Sequence, residues 1–163
     1  MSEKFVNFEL ALKVLARHGV EFVVVGGVAA VAHGSSLMTR DLDIVYRIEK
    51  GNVERLVAAL DELQAVAYGD PRRLRLRFDH LNNKGHHLAE TLAGRIDALG
   101  SIGKHADVLY EDLASDAVTM EAFGVSFRCI SLERLITVKR ELGRPRDLLA
   151  VQELEALRKL SER

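Results

Sequence analysis

The sequence predicts an α/β (α+β) fold in which helices flank a small mixed β-sheet and a helix pair closes the chain. Residues 21–25 are apolar after the first position and end in three β-branched valines, which is typical of a strand covered on both faces. Residues 41–47 alternate between polar and apolar side chains, as in a strand with one buried face. Residues 131–142 and 145–157 have apolar side chains at helical spacing on either side of Gly143, so we expect two helices there.

The other elements are predicted from caps and periodicity. Asn7 is a good N-cap for an amphipathic helix that stops at Gly19, and Asn52 is expected to cap a helix with an apolar stripe over 53–63. The last helix starts near Pro145, and its buried side is expected to consist of Leu148, Val151, Leu154 and Leu157. Further predictions are a short buried helix over 28–32, a loop over 79–87, a strand over 94–100, a helical turn over 110–113, and a hairpin of 118–123 and 125–130 around Gly124. Residues 88–93 fit either a helix or a strand.

Three arginines alternate with apolar residues in the segment 73–78, namely Arg73, Arg75 and Arg77. The alternation predicts a strand with three guanidinium groups on one face. Such a face is either a solvated sheet edge or a contact surface for phosphate or RNA.

Length and composition bound the organisation and the partners. At 163 residues and 18.1 kDa, with 48% apolar and 29% charged residues, the sequence predicts one domain over 1–163, with a core over 21–130 and C-terminal helices over 131–160. No apolar run is long enough to span a membrane, so no membrane partner is expected. The net charge of −1 gives no general attraction for nucleic acid; DNA is not expected as a partner, and any RNA contact would be local.

Cysteine and histidine usage argues against an extracellular protein and against a zinc site. Cys129 is the single cysteine, and residues 1–4 lack the basic and then apolar pattern of a secretory signal, so we expect a cytoplasmic location. One cysteine and 6 scattered histidines do not have the spacing of a zinc quartet.

A glycine pair and an aspartate pair form the candidate functional motif. Gly26 and Gly27 follow the first apolar strand, and Asp41 and Asp43 begin the next strand after a spacer of about a dozen residues. Glycines let the backbone approach a phosphate without a Cβ in the way. The two aspartates fall on one strand face, where their oxygens suit Mg²⁺ shared with nucleotide phosphates. A tight turn and a solubilising surface strand are the alternative interpretations of the two pairs.

Taken together, Gly26-Gly27 and Asp41-Leu42-Asp43 resemble the signature of the polymerase-β-like nucleotidyltransferase superfamily. Further segments are similar to its compact bacterial branch, which includes the toxin nucleotidyltransferases of abortive-infection type IV systems and the minimal nucleotidyltransferases. In order, they are His33-Gly34, Thr39-Arg40, Gly94-Arg95-Ile96-Asp97, residues 135–140 and Gly143-Arg144-Pro145-Arg146-Asp147. The similarity touches most of the chain from Val23 to Leu157.

The resemblance implies a two-metal transfer of a nucleoside monophosphate from a nucleoside triphosphate. Asp41 and Asp43 would hold the triphosphate-bound Mg²⁺, and Asp97 would join them in holding the ion that activates the acceptor hydroxyl. Gly26 and Gly27 would cradle the β- and γ-phosphates. The superfamily more often has serine at the second glycine position, so here the backbone N–H groups serve alone unless Ser35 or Ser36 contributes.

Several basic residues have two interpretations. Arg40 would either contact phosphate or brace Asp41. The resemblance gives Lys139 a catalytic role and assigns Arg144 and Asp147 to nucleotide binding. Capping of the two C-terminal helices by charges is the alternative for Arg144 and Asp147. His33 is either a packing residue at a helix end or an acid or base.

The predicted activity is a Mg²⁺-dependent nucleotidyltransferase with a hydroxyl acceptor. The resembling branch implies a tRNA 3′ end or a cognate partner protein as acceptor, as in toxin–antitoxin pairs. One alternative is a catalytically silent nucleotide- or partner-binding module of the same fold. A further alternative, small-molecule modification, is disfavoured on length, because a separate substrate domain hardly fits in 163 residues.

Overall fold

The computed structural model describes residues 6–163 and forms a seven-stranded mixed sheet within them. The strands are β1 (Phe22–Val25), β2 (Asp41–Tyr46), β3 (Val66–Ala67), β4 (His86–Thr91), β5 (Gly94–Leu99), β6 (Val118–Ala122) and β7 (Val125–Cys129). Their spatial order is β3-β4-β5-β2-β1-β7-β6; β2 and β5 are parallel, as are β1 and β7, and the other neighbours are antiparallel. The predicted fold class is confirmed. The segment examined for a secretory signal, residues 1–4, lies outside the described residues.

Helices pack around the sheet. They are α1 (Phe8–Arg17), α2 (Gly26–Ala32), α3 (Lys50–Glu62), α4 (Phe78–Leu81), α5 (Tyr110–Ala114), α6 (Leu132–Leu142) and α7 (Pro145–Ser161). The predicted cap of α1 is confirmed, because Asn7 Oδ1 accepts from the Leu10 N–H at 3.0 Å. Ser131 caps α6 in the same way, with Oγ accepting from the Arg134 N–H at 3.2 Å. Gly143 ends α6 in the left-handed region, with φ 64°, and α7 follows as the second helix of the C-terminal pair.

The core lies against the two central strands. Every residue of β1 is buried, and Leu42, Ile44 and Tyr46 are fully buried on the β2 face opposite the aspartates. The Tyr46 hydroxyl donates to the Leu81 carbonyl at 2.6 Å, which satisfies the one polar group on that face of the strand. In the described part of the chain, no helix has the length and apolar character needed to cross a bilayer.

The prediction that Asn52 caps its helix is wrong. Glu49 is the N-cap of α3, and its carboxylate accepts from the Gly51 and Asn52 N–H groups. Asn52 lies inside the first turn with its side chain fully buried. There its amide accepts from the Glu21 N–H and donates to the carbonyls of Glu21 and Arg47, so it joins the ends of β1 and β2 to the helix.

The arginine-rich segment is not the predicted strand. Of the three arginines, Arg75 alone takes part in sheet pairing, through one isolated β-bridge to Val66. Arg73 has a φ of 52°, which is incompatible with a continuous extended strand. Arg75 and Arg77 approach the Asp61 carboxylate at 3.5 and 3.7 Å, which gives two of the three guanidinium groups a local partner. The alternation therefore reflects a turn that packs Leu76 inward.

Other boundaries differ in smaller ways. The segment predicted as a loop, 79–87, contains most of α4 and the first residues of β4, and the ambiguous residues 88–93 are largely strand. The hairpin of β6 and β7 is confirmed, with its two turn residues, Phe123 and Gly124, both at positive φ. Leu148 is 46% exposed and does not belong to the buried side of α7, where Ala150 takes its place.

Candidate active site

Strand register brings the predicted site residues together. The end of β1 lies opposite Asp43 on β2, and Gly26 follows directly. On the other side of β2, Asp43 pairs with Asp97 of β5, and Asp41 pairs with Arg95. Because in-register neighbours point to the same side of a sheet, three carboxylates and one guanidinium share one face.

Asp43 lies directly against Gly26. A Cβ built at residue 26 would collide with the Asp43 carboxylate, and the φ of 67° is a conformation that glycine adopts without strain. Burial, the charge of Asp97 and a hydrogen bond with Asp97 raise the pKa of Asp43 to about 7. The ionised form of Asp43 is thus disfavoured by burial and by the neighbouring carboxylate, and the charge of Arg95 offsets this only in part.

Asp41 lies at the outer edge of the same face. Burial raises its pKa, whereas the charges of Arg95 and Arg40 lower it. Arg40 therefore acts electrostatically on Asp41, in line with the bracing interpretation of the sequence.

A divalent cation fits the chemistry of this face, because it would relieve the repulsion around Asp43 and prefers carboxylate oxygens. Within residues 6–163, however, no three His, Cys, Asp or Glu side chains are arranged around one point. Asp43 and Asp97 are close enough to share a hydrogen bond. Asp41 and Asp43 share a face as predicted, and joint coordination of one ion by them stays a prediction.

A cleft of about 390 Å³ opens between this face and the C-terminal helices. Its polar end is lined by Gly26, Gly27 and Asp43 on the sheet side and by Lys139, Arg144, Arg146 and Asp147 on the helix side. Its apolar part is lined by residues of β5, α6 and their flanks, among them Leu99, Ile102, Leu135 and Val138. A larger cavity of about 480 Å³, bordered by Tyr46, Lys84 and Tyr110, is lined by none of the predicted site residues, so the smaller cleft is the candidate site.

Asp147 organises the basic side of the cleft. Its carboxylate is buried and accepts from Arg144 Nε at 2.5 Å and Nη2 at 3.2 Å, and Lys139 Nζ lies 3.9 Å away. Burial alone would raise the pKa of Asp147, but the hydrogen bond and charge of Arg144 and the charge of Lys139 lower it. Asp147 therefore stays ionised and holds two cations at the cleft. Its carboxylate also accepts from the backbone N–H of Arg144, the N-cap of α7, as the capping alternative predicts.

The loop residues considered for phosphate contact are engaged elsewhere. The hydroxyls of Ser35 and Ser36 both bind the Glu153 carboxylate on α7, which ties the segment before β2 to the C-terminal pair. Thr39 instead fills the space beside Gly27, where its Oγ1 lies 2.6 Å from the position of a Cβ. The hydroxyl nearest the glycine pair thus comes from Thr39, and this explains why residue 27 has no side chain.

His33 is a packing residue. Its Nε2 lies 2.7 Å from the Ile130 carbonyl oxygen, at the end of α2. The sequence interpretation of His33 as an acid or base has no geometric support, since the imidazole is used to hold α2 against the segment that leads into α6.

Two residues of the candidate site were not assigned roles from the sequence. Arg95 lies two residues before Asp97, so strand alternation alone would have placed it on the carboxylate face. Arg146 follows Pro145 in the first turn of α7 and lines the cleft beside Asp147. Nothing in its local pattern distinguishes it from an exposed surface arginine.

The comparisons with known proteins bear on the fold. No family model and no curated protein matches the sequence. Among solved structures, a lincosamide antibiotic adenylyltransferase, LnuA, with lincomycin bound has a TM-score of 0.60 at 15% identity, over 94% of this chain and 98% of that one. The chain has the fold of nucleotidyltransferases.

Two other solved structures agree with this assignment. A provisionally assigned nucleotidyltransferase from Thermotoga maritima has a TM-score of 0.57 at 18% identity, covering 96% of this chain and 91% of that one. The antibiotic-resistance factor ANT(2″)-Ia has a TM-score of 0.53 at 16% identity, covering 95% of this chain and 89% of that one. At such identities the likeness concerns the fold, and the more specific resemblance to the abortive-infection toxins stays a prediction.

Lys139 gives a first test of the cleft. We expect Lys139→Ala to raise the triphosphate KM about tenfold with little change in stability, because it removes a cation that faces the polar end and has only a long contact to Asp147. The matched control is Arg140→Ala, since the neighbouring Arg140 points away to Glu155 on α7. Equal kinetics for the two variants would remove Lys139 from the site.

Proposed function

We propose that the protein is a divalent-metal-dependent nucleotidyltransferase that transfers a nucleoside monophosphate from a nucleoside triphosphate to a hydroxyl group. The observation that carries the proposal is the Asp43–Asp97 carboxylate contact directly beside Gly26, at the polar end of a cleft that has cations on its opposite wall. Negative and positive groups are thus separated across a space where a metal-bound triphosphate would fit.

Each side of the cleft has a binding role. The glycines leave room for the Asp43 carboxylate at residue 26 and for the Thr39 side chain at residue 27. The Thr39 hydroxyl donates to the Asp41 carbonyl at 3.2 Å, so the backbone N–H groups of the glycine pair are the proposed phosphate contacts. Lys139 and Arg144 neutralise phosphate charge from the helix side, where Asp147 fixes their positions. Asp41 and Asp43 are the proposed holders of Mg²⁺.

The reaction is a substitution at the α-phosphorus. The acceptor oxygen forms a bond to the α-phosphorus while the bond between the α-phosphorus and the oxygen bridging to the β-phosphorus breaks. Pyrophosphate leaves, and the hydroxyl proton is released to water. Charge grows on the leaving oxygens, which the cations of the helix wall are placed to stabilise. Bound Mg²⁺ supplies electrostatic stabilisation of the phosphates. Asp97 lies on the far side of Asp43 from Gly26 and orients the acceptor.

We consider two classes of acceptor, a macromolecule and a small molecule. The resemblance favours a tRNA 3′ end or a cognate partner protein in a toxin–antitoxin pair. A small-molecule hydroxyl is the second candidate, and the length argument against it is wrong, because LnuA is an adenylyltransferase whose structure this chain covers to 98%. The apolar part of the cleft, with Leu99 and Val138 in its lining, suits a compact organic acceptor.

The deciding experiment is labelling. The protein is incubated with Mg²⁺, each α-labelled triphosphate in turn, and one of three fractions: total RNA, lysate protein or a small-molecule extract. Transfer of label to any fraction supports the proposal and identifies the acceptor class. Nucleotide binding without labelling in any fraction would favour the catalytically silent module.

Asp97→Asn separates transfer from binding. We expect transfer to fall on the order of a hundredfold or more, while binding of a non-hydrolysable triphosphate stays within a few-fold, because Asp97 acts on the acceptor side. Asp41→Asn should weaken both. The matched control is Asp70→Asn, since Asp70 forms the same two-residue carboxylate–arginine pair with Arg72 on the surface. If Asp97→Asn labels as well as this control, Asp97 is only a strand residue.

A further inference from the structure

We propose that Arg95 supplies one of the two positive charges of the catalytic centre, so that this chain uses a single divalent cation where the two-metal scheme has two. The inference rests on the proposed function and concerns the acceptor side of the same site. It assigns a role to a residue that the motifs leave without one.

The guanidinium lies between two of the three carboxylates. Arg95 Nε is 2.9 Å from Asp97 Oδ1 and 3.8 Å from Asp41 Oδ2, and Arg95 Nη2 is 3.3 Å from Asp97 Oδ2. In the two-metal scheme, the ion on the acceptor side is shared by these same carboxylates. The place of that ion is therefore taken by a fixed organic cation.

Three features hold the guanidinium there. In-register pairing of β2 and β5 places Arg95 opposite Asp41, and the i, i+2 relation places it beside Asp97 on one strand face. The Tyr68 ring lies under the guanidinium carbon at 4.4 Å, a cation–π contact that fixes its outer side. A guanidinium stays charged at any physiological pH, so its charge is a permanent part of the site.

Electrostatics then disfavours a second divalent ion. Such an ion would have to share Asp41 and Asp97 with a cation already in contact with both, and like charges at that separation repel strongly outside bulk water. Arg95 contacts Asp41 and Asp97, whereas Asp43 lies against Gly26 and is the carboxylate proposed to hold the single ion.

Counting bound Mn²⁺ tests the inference. The full chain, with one equivalent of bound non-hydrolysable triphosphate and no excess nucleotide, is titrated with Mn²⁺, and free Mn²⁺ is measured by electron paramagnetic resonance. We expect one ion per chain in wild type and in Arg95→Lys, which keeps a positive charge. Arg95→Gln should bind two, with the second site at least tenfold tighter than in wild type. Arg72→Gln is the matched control, because it breaks the equivalent surface pair with Asp70 and should still bind one.

Each outcome has a clear meaning. Two ions in wild type would overturn the inference while leaving nucleotidyl transfer intact. One ion in a folded, nucleotide-binding Arg95→Gln would also overturn it, since the guanidinium would then exclude nothing. Should Arg95→Gln fail to fold, the wild-type count still decides. No Mn²⁺ and no nucleotide on wild type would instead refute the proposed function itself, and the labelling assay would fail as well.

Discussion

Asp43→Asn is expected to abolish nucleotidyl transfer, by about a thousandfold or more, and at the same time to stabilise the metal-free protein at pH 8. The loss follows because Asp43 is the carboxylate nearest Gly26 and the proposed principal ligand of the catalytic ion. The gain in stability follows because, when no divalent ion is bound, the buried Asp43 carboxylate is repelled by Asp97 in its charged form. Activity and stability thus make opposite demands on one side chain.

The pH dependence of this stabilisation has a definite sign. The pKa of Asp43 is raised from 3.8 in the unfolded chain to about 7 in the folded protein, so the folded state binds the extra proton between these values. Stability from this group is present below the unfolded pKa and is lost as the pH rises through about 7. At pH 8 the ionised Asp43 destabilises the metal-free wild type by on the order of 2 to 4 kcal/mol. Removing that charge in Asp43→Asn should therefore raise Tm by several degrees.

Thermal melts in chelator at pH 5 and pH 8 measure the effect. The difference between Asp43→Asn and wild type should be large at pH 8 and shrink toward pH 5. Asp116→Asn is the control, because Asp116 has an exposed ion pair with Arg134 and should change Tm little at either pH. A lower Tm for Asp43→Asn at pH 8 would show that the carboxylate is not strained in the metal-free protein.

Much of the fold could be predicted because its signals are local. The buried strand β1, the alternating strand β2 and the helix pair α6 and α7 each have a periodicity or a cap within a few residues. The turn of the β6–β7 hairpin is likewise encoded by Gly124 and its flanking apolar runs.

The errors arose where tertiary partners decide. Asn52 has the composition of a cap, but the ends of β1 and β2 recruit its amide, and Glu49 caps instead. Arg75 and Arg77 match a strand pattern, but Asp61 on the preceding helix attracts both guanidinium groups. Apart from the bond between Asn52 and the Arg47 carbonyl, these contacts join residues more than a dozen positions apart, which no short window contains.

In the candidate site, too, local sequence signals were predictive and contacts between distant strands were not. Spacing alone predicts that Asp41 and Asp43 share a face, because alternation is a property of the strand itself. That Asp97 lies beside them depends on the parallel register of β2 and β5, which only the family resemblance suggested. Predicting that Arg95 lies between two carboxylates requires both the alternation along β5 and the register of β5 against β2, so the sequence alone did not indicate it.

Gly26→Ala is expected to weaken triphosphate binding by about a hundredfold or more, and Gly124→Ala provides an unusually close control. Both glycines have similar positive φ values, 67° and 74°, so an alanine at either carries a backbone strain of about 1 kcal/mol. At residue 124 a Cβ meets nothing within 4 Å, whereas at residue 26 it collides with the Asp43 carboxylate. Calorimetric titration with a non-hydrolysable triphosphate and Mg²⁺ should therefore give wild-type affinity for Gly124→Ala and lost affinity for Gly26→Ala, although both lower Tm. Equal affinities would mean that Asp43 can move aside freely, and the close contact of glycine and carboxylate would then have no part in holding the nucleotide.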